Sequence, residues 1–228
     1  MKRLVLLGEG HGELSALPVL VGKLLREKDA AGVLFVDRDV IRGPNQVKWD
    51  KQAARPDYSK WLPRLTLATR RYNAGGILAI YDGDAPTFPA GAPSPFCAAT
   101  AAKDMASKAQ AVGAGKTFSL AVVFACVEYE TWLIAGIESL AGKRYRDGRI
   151  VLPADLKFPG GEPESHGKRW LEHNCRGYRP TLDQGPLTEM LDLNVVRGRN
   201  LRSFKRLEHA VDELLDGVGS GSHISTPG

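Results

Sequence analysis

Short apolar runs alternate, along the first half of the chain, with segments whose apolar positions recur at helical spacing. Residues 3–7 (RLVLL), 33–37 (VLFVD), 77–81 (ILAIY) and 119–126 (SLAVVFAC) lack polar alternation, which predicts strands buried on both faces. After the first run, Leu14, Leu17, Val21, Leu24 and Leu25 mark one face of a helix reaching Lys28. Pro18 is tolerated if it lies in the first turn, where its missing N–H costs little. Ser59 precedes a second helix with Trp61, Leu62, Leu65, Ala68 and Tyr72 on one side, ended by Gly75-Gly76. Residues 98–112 and 127–140 predict two more helices. Four strand–helix units predict an α/β fold, a mostly parallel central sheet flanked by helices.

The second half reads differently. Residues 141–202 are rich in Gly, Pro and charge, with short helical patches such as 167–173. Residues 203–216 predict an amphipathic helix capped by Ser203, with a stripe of Phe204, Leu207, Val211, Leu214 and Leu215, and closed by Gly217. Such a stripe can pack within the chain or bury against a second copy, which leaves a homodimer open. The last ten residues, Gly-, Ser- and Pro-rich from Gly219, read as disordered. The expected organisation is a catalytic core over 1–140, a carboxy-terminal helical elaboration over 141–216, and a disordered tail over 217–228. The connection 38–58 has no clear period and reads as a loop over the active edge or a flexible segment, and the Pro- and Gly-rich 85–95 reads as a loop beside the strand ends.

Composition narrows the function classes. The 228 residues hold 31 Lys and Arg against 26 Asp and Glu, a formal charge of +5 that permits a nucleic-acid partner without demanding one. Two basic stretches stand out: Arg38, Arg42, Lys48 and Lys51, and then Arg197, Arg199, Arg202, Lys205 and Arg206. Each fits a solvated surface as well as a phosphate-binding one. Cys97, Cys126 and Cys175 stand far apart, so a zinc ribbon is not expected, and the odd count points to a reducing cytoplasm. No window reaches the eighteen apolar residues of a membrane span.

The candidate chemistry is acidic and sits at strand ends, where open α/β sheets place their ligands. Asp82-Gly83-Asp84 follows the third strand, and residues two apart in an extended segment face the same way. Two carboxylates that close repel unless a cation or proton lies between them, and magnesium suits oxygen-only sites. A surface turn is the plain alternative. Glu9 ends the first strand, so Glu9, Asp82 and Asp84 are the candidate ligands for Mg2+ or Mn2+ if those strands are neighbours. Glu13 follows four residues on. His11, between the glutamates, reads either as a proton shuttle or as a side chain bonded to its own turn. Glu128 and Glu130 follow the fourth strand, as further site carboxylates or as favourable charges at a helix start. Lys168 is a basic candidate for a phosphodiester, with salt bridging as its alternative. Gly113–Thr117 (GAGKT) precedes a strand instead of following one, which rules out a phosphate loop.

This acidic pattern resembles the Toprim fold of topoisomerases, primases and overcoming-lysogenization-defect nucleases. Glu9 matches the glutamate after strand one, and Asp82 with Asp84 the Asp-x-Asp after strand three. The run Gly8-Glu9-Gly10-His11-Gly12-Glu13 is similar to the opening of the nuclease-like branch, which implies a role for Glu13. About four-fifths of the chain resembles the DUF4276 group of bacterial proteins, through LVLLGEGHGE, AIYDGDA, VEYETWLIA, the segment from Tyr178-Arg179-Pro180 to Leu187, and Arg202-Ser203-Phe204. The Glu-x-Glu-x-Trp element implies that Glu128 and Glu130 belong to the site. The resemblance implies metal-dependent cleavage or rejoining of nucleic acid in phage defence, alongside an ATPase-like partner protein. The expected function is therefore a Mg2+-dependent nuclease. Two other classes stay open: a phosphoryl-transfer enzyme on a small substrate, and a non-catalytic metal- or protein-binding module.

Overall fold

The computed structural model describes residues 1–30, 32–43, 47–83, 87–89, 91–93, 95–148, 150–160 and 167–226. Its first half runs β1 (Lys2–Gly8), α1 (Glu13–Glu27), β2 (Leu34–Val36), β3 (Ile41–Arg42), β4 (Lys48–Asp50), β5 (Arg55–Asp57), α2 (Trp61–Thr69), β6 (Ala74–Asp82), α3 (Ala98–Ala109) and β7 (Ser119–Ala125). The second half runs α4 (Glu130–Ala135), β8 (Arg144–Tyr145), β9 (Ile150–Val151), α5 (Gly167–Asn174), α6 (Pro180–Met190), α7 (Leu193–Gly198), α8 (Arg202–Ser220) and β10 (Ser225–Thr226).

The main sheet has the order β10-β7-β6-β1-β2, with β3 pairing further along β1. All these pairings are parallel. Its buried strands explain their uniform apolar sequences. Leu4 and Leu6 of β1, Leu78 and Ile80 of β6, and Ala121 and Val123 of β7 face one core. Val5 and Leu7, Ile77 and Ala79, and Leu120 and Val122 face the other. The period of two sends alternate residues of one strand into opposite cores, so the middle of each strand has no face open to solvent and polar residues fall at strand ends, as Lys2, Arg3, Asp82 and Ser119 do. Helices α2 and α3 cover the second face through Trp61, Leu65 and Met105. The first face is covered by α1, α4, α6 and α8, so residues from both halves of the chain share one core.

Several expectations change. Gly75 and Gly76 do not end α2; they lie inside β6. A Cβ on Gly75 would stand 2.5 Å from the Cβ of Lys2, so the close approach of β1 requires glycine there. The 38–58 connection is not structureless: it carries β3 and the β4–β5 hairpin. Helix α4 is shorter than 127–140 and passes into a 3-10 turn at Ile137–Ser139. Ser203 does not cap α8, because Leu201 holds the cap position; its buried hydroxyl accepts from Trp132 Nε1 at 3.1 Å. Helix α8 continues through Gly217 to Ser220 and ends at Gly221, whose φ is 70°. The tail expected to be disordered adds β10, with Leu120 N donating to Ile224 O at 2.8 Å. That pairing covers the edge of β7, which would otherwise present unpaired backbone groups. The α8 stripe (Phe204, Leu207, Val211, Leu214) is buried within the chain and so gives no argument for a dimer.

Candidate functional site

Strands β1, β6 and β7 lie side by side, so their carboxyl ends open onto one place. The turn after β1 wraps around Glu13, which is buried, and Glu13 Oε2 accepts from the amide of Glu9 at 2.8 Å. Burial raises the Glu13 carboxyl above its ordinary value and the charge of Glu9 adds to this, while the amides of Glu9 and Gly10 and the nearby Lys168 oppose it.

Asp82, at the end of β6, is only 10 % exposed in its side chain and is held from two directions. Its Oδ1 accepts from Tyr129 N at 2.9 Å, and its Oδ2 lies 3.4 Å from Lys168 Nζ. Gly83 follows, its amide shared between Ala125 O at 2.9 Å and Val127 O at 2.7 Å, which ties the β6 end to the β7 end. Lys168, in the first turn of α5, also donates its backbone amide to Glu128 Oε2 at 3.0 Å and sets its ammonium 3.9 Å from Glu128 Oε1. Burial pushes Asp82 well above the usual carboxylate range, Glu13 and Glu130 add to it, and Lys168 opposes. Burial disfavours the Lys168 charge, but Asp82, Glu130 and Glu128 outweigh that, and its ammonium is held above the ordinary range.

Glu130 lies deeper and is fully buried. Its Oε1 accepts from Tyr178 OH at 3.0 Å and from Gln184 Nε2 at 2.8 Å. Burial raises this carboxyl too, against Lys168 and the two hydrogen bonds. Gln184 reaches Glu130 because Gly12 leaves room: a Cβ there would fall 2.2 Å from Gln184 Oε1 and 2.7 Å from Pro180 O. A side chain can move aside, but the Pro180 carbonyl is backbone at the start of α6. Gly12→Ala is therefore expected to destabilise the protein by about 2 kcal/mol, as overpacking does, and a urea titration of the variant measures it.

Glu13, Asp82, Glu128, Glu130 and Lys168 are thus brought together. Glu9 is half-buried in the same turn and contributes its backbone amide and its charge beside Glu13. His11 is exposed. Asp84 lies outside the described residues, so the Glu9–Asp82–Asp84 set is not described as a whole. Among the described residues, no three His, Cys, Asp or Glu side chains form a group that could hold a metal ion. Part of the later basic stretch is engaged within the chain: Arg197 pairs with Glu27 and Glu208, and Arg199 pairs with Glu138 at 2.5 Å and stacks on Phe158. The 85–95 connection reaches the end of β7 through Phe88, which packs edge-on against Phe124, as does Phe96 just after the connection.

Tyr178, Gln184 and the space over Gly12 have no motif of their own in the sequence. Their one sequence signal is the stretch from Tyr178 to Leu187, and no spacing rule ties it to Glu130. Among the described residues no helix is long and apolar enough to cross a membrane. No curated protein and no solved structure matches the chain. Residues 8–212, most of its length and all of the carboxylates just described, match the domain of unknown function DUF4276, and the chain belongs to that family.

Proposed function

We propose that the protein is a Mg2+-dependent nuclease with a Toprim-like core, hydrolysing phosphodiester bonds at the carboxyl ends of β1, β6 and β7. The observation that supports this is that, among the described residues, the ammonium of Lys168 lies 3.4 Å from Asp82 and 3.9 Å from Glu128, while the buried Glu13 and Glu130 are near enough to feel its charge. Among the described residues four largely buried carboxylates outnumber one cation, and such a deficit is met by protons or by a further cation. The donors are all oxygens, which suit Mg2+ or Mn2+ over softer metals. Among the described residues, Glu130 Oε2 is also buried with no hydrogen-bond partner. Magnesium is commonly held by one or two carboxylates with waters and substrate phosphate, so three preformed protein ligands are not required.

In this reading Asp82 and Glu9, with Asp84, hold the ion. Bound there, it would lower the pKa of water and offset charge on the phosphate. Lys168 is 38 % exposed, so its ammonium can meet a phosphate oxygen as a point charge. Either Glu128 or Glu130 accepts the one proton that the attacking water gives up, and burial, which raises the Glu130 carboxyl, makes it a stronger base. Substrate chains and an ATPase-like partner belong to the same reading.

The test is cleavage of labelled single- and double-stranded DNA and of RNA with Mg2+ or Mn2+. Wild type is expected to cut one class only with metal, and Asp82→Ala and Glu9→Ala to lose about 100-fold or more. Cutting that survives chelation, or survives both substitutions, would remove the metal-dependent reading.

A further inference from the structure

Glu130 has two oxygens in different situations. Oε1 takes two hydrogen bonds, both from the carboxy-terminal part of the chain. Among the described residues Oε2 is buried without a partner, as is Gln184 Oε1. In a fully buried carboxylate this is costly, because an unsatisfied charged oxygen retains its full desolvation penalty. Yet the elements around it are firmly fixed. Lys23 of α1 donates to Thr188 O, Glu189 O and Leu191 O at the end of α6, at 3.3, 2.7 and 2.5 Å. At the other end of α6, Asp183 accepts from Arg146 Nε at 2.5 Å and from the amide of Arg179 at 2.6 Å. Tyr129, next to Glu130, is bonded through its hydroxyl to Thr188 at 2.8 Å. Helix α6 therefore has little freedom to turn its Gln184 toward Oε2.

The unpartnered oxygen belongs to a group that already acts on the acidic site. Glu130 adds to the forces that raise Asp82 and helps keep Lys168 charged. Gly167, beside Lys168, packs so closely that a Cβ on it would lie 2.9 Å from the Cβ of Glu130. We propose that Tyr178 and Gln184 are positioning residues for Glu130: they anchor one carboxylate oxygen from outside the strand-end cluster and leave the other for a ligand of that cluster, either its cation or the water it activates. This rests on the nuclease reading above and deepens it. It also gives the carboxy-terminal elaboration a part in the site, through a tyrosine and a glutamine that need never touch substrate.

Two readouts test this on the full-length protein: the 13Cε NMR signal of Lys168, assigned by its loss in Lys168→Arg, and the affinity for Mn2+ by calorimetry. The variants are Tyr178→Phe, Gln184→Leu, Glu130→Gln and the double variant Glu130→Gln with Tyr178→Phe, each first checked for folding by circular dichroism. Tyr178→Phe keeps the ring and removes one donor; Gln184→Leu tests the same role independently if the first does not fold. Each single change is expected to move the Lys168 signal toward its Glu130→Gln position and to weaken Mn2+ binding about tenfold, the scale of one lost charge-assisted hydrogen bond. In the Glu130→Gln background Tyr178→Phe is expected to add nothing. A Lys168 signal and Mn2+ affinity unchanged by both single variants, or changes of equal size in the Glu130→Gln background, overturn the proposal. A wild type that binds no Mn2+ removes the metal reading, and the Lys168 signal alone then decides the positioning role.

Discussion

Lys168→Met is expected to lower stability at pH 8 by about 2 kcal/mol, and to lose that effect progressively toward pH 5. The ammonium lies 3.4 Å from Asp82 and 3.9 Å from Glu128, and it lowers the carboxyls of Glu13 and Glu130 as well. Removing one member of a buried ion pair costs about 3–5 kcal/mol, because the partner stays buried and uncompensated. Lys168 is 38 % exposed, so solvent already screens part of the interaction and the smaller figure applies. Methionine keeps most of the stem and its packing, which isolates the charge. Toward acid pH the raised carboxyls of Glu13, Asp82 and Glu130 take up protons before ordinary carboxyls do, and the missing ammonium matters less. Urea titrations at the two pH values check this. An equal loss at both would mean that the stem, and not the charge, is what the fold needs.

The second large effect is on the wild type. Without divalent ions its stability is expected to fall as pH rises above the ordinary carboxylate range, and Mg2+ is expected to restore it increasingly toward higher pH. The sign follows from linkage. Glu13, Asp82 and Glu130 are each held above their ordinary values in the fold, burial being the first cause. Between the unfolded value, about 4, and the raised folded value, the native state binds more protons than the unfolded chain. Their contribution is therefore fully present below the unfolded value and is lost as pH rises through the folded ones. A bound cation takes the place of those protons, and at one hundred times its dissociation constant it stabilises by about 2.7 kcal/mol. Melting curves across pH, with Mg2+ and with chelator, give both slopes. Asp82→Asn should flatten the metal-free slope and abolish the Mg2+ response. A wild-type slope of the opposite sign would show that these carboxyls are ionised and satisfied without metal.

These expectations rest on contacts of unequal legibility. The α/β class, the parallel strands and the acidic strand ends were readable because they depend on local pattern: uniform apolar runs, helical spacing, and Asp-Gly or Gly-Glu at the ends of strands. That Asp82 ends a buried strand, and that Glu13, Glu128 and Glu130 follow within a few residues of one, was readable for the same reason. Local pattern misled where a distant segment set the outcome. Gly75-Gly76 looked like a helix stop, and the nearness of Lys2 makes it strand. Ser203 looked like a cap, and Trp132 takes its hydroxyl. The tail looked disordered, and the open edge of β7 orders Ser225–Thr226.

What the sequence by itself determined, then, is the layered fold and the set of acids placed at one end of it. Only the tertiary structure decided which cation faces those acids and what holds them. Lys168 meets Asp82 across 86 residues, and Gln184 meets Glu130 across 54. Periodicity reports which way a side chain faces from its own element. It carries no information about the register between elements so far apart, and burial, which raises the carboxyls and makes a single ammonium count, exists only once those elements have packed.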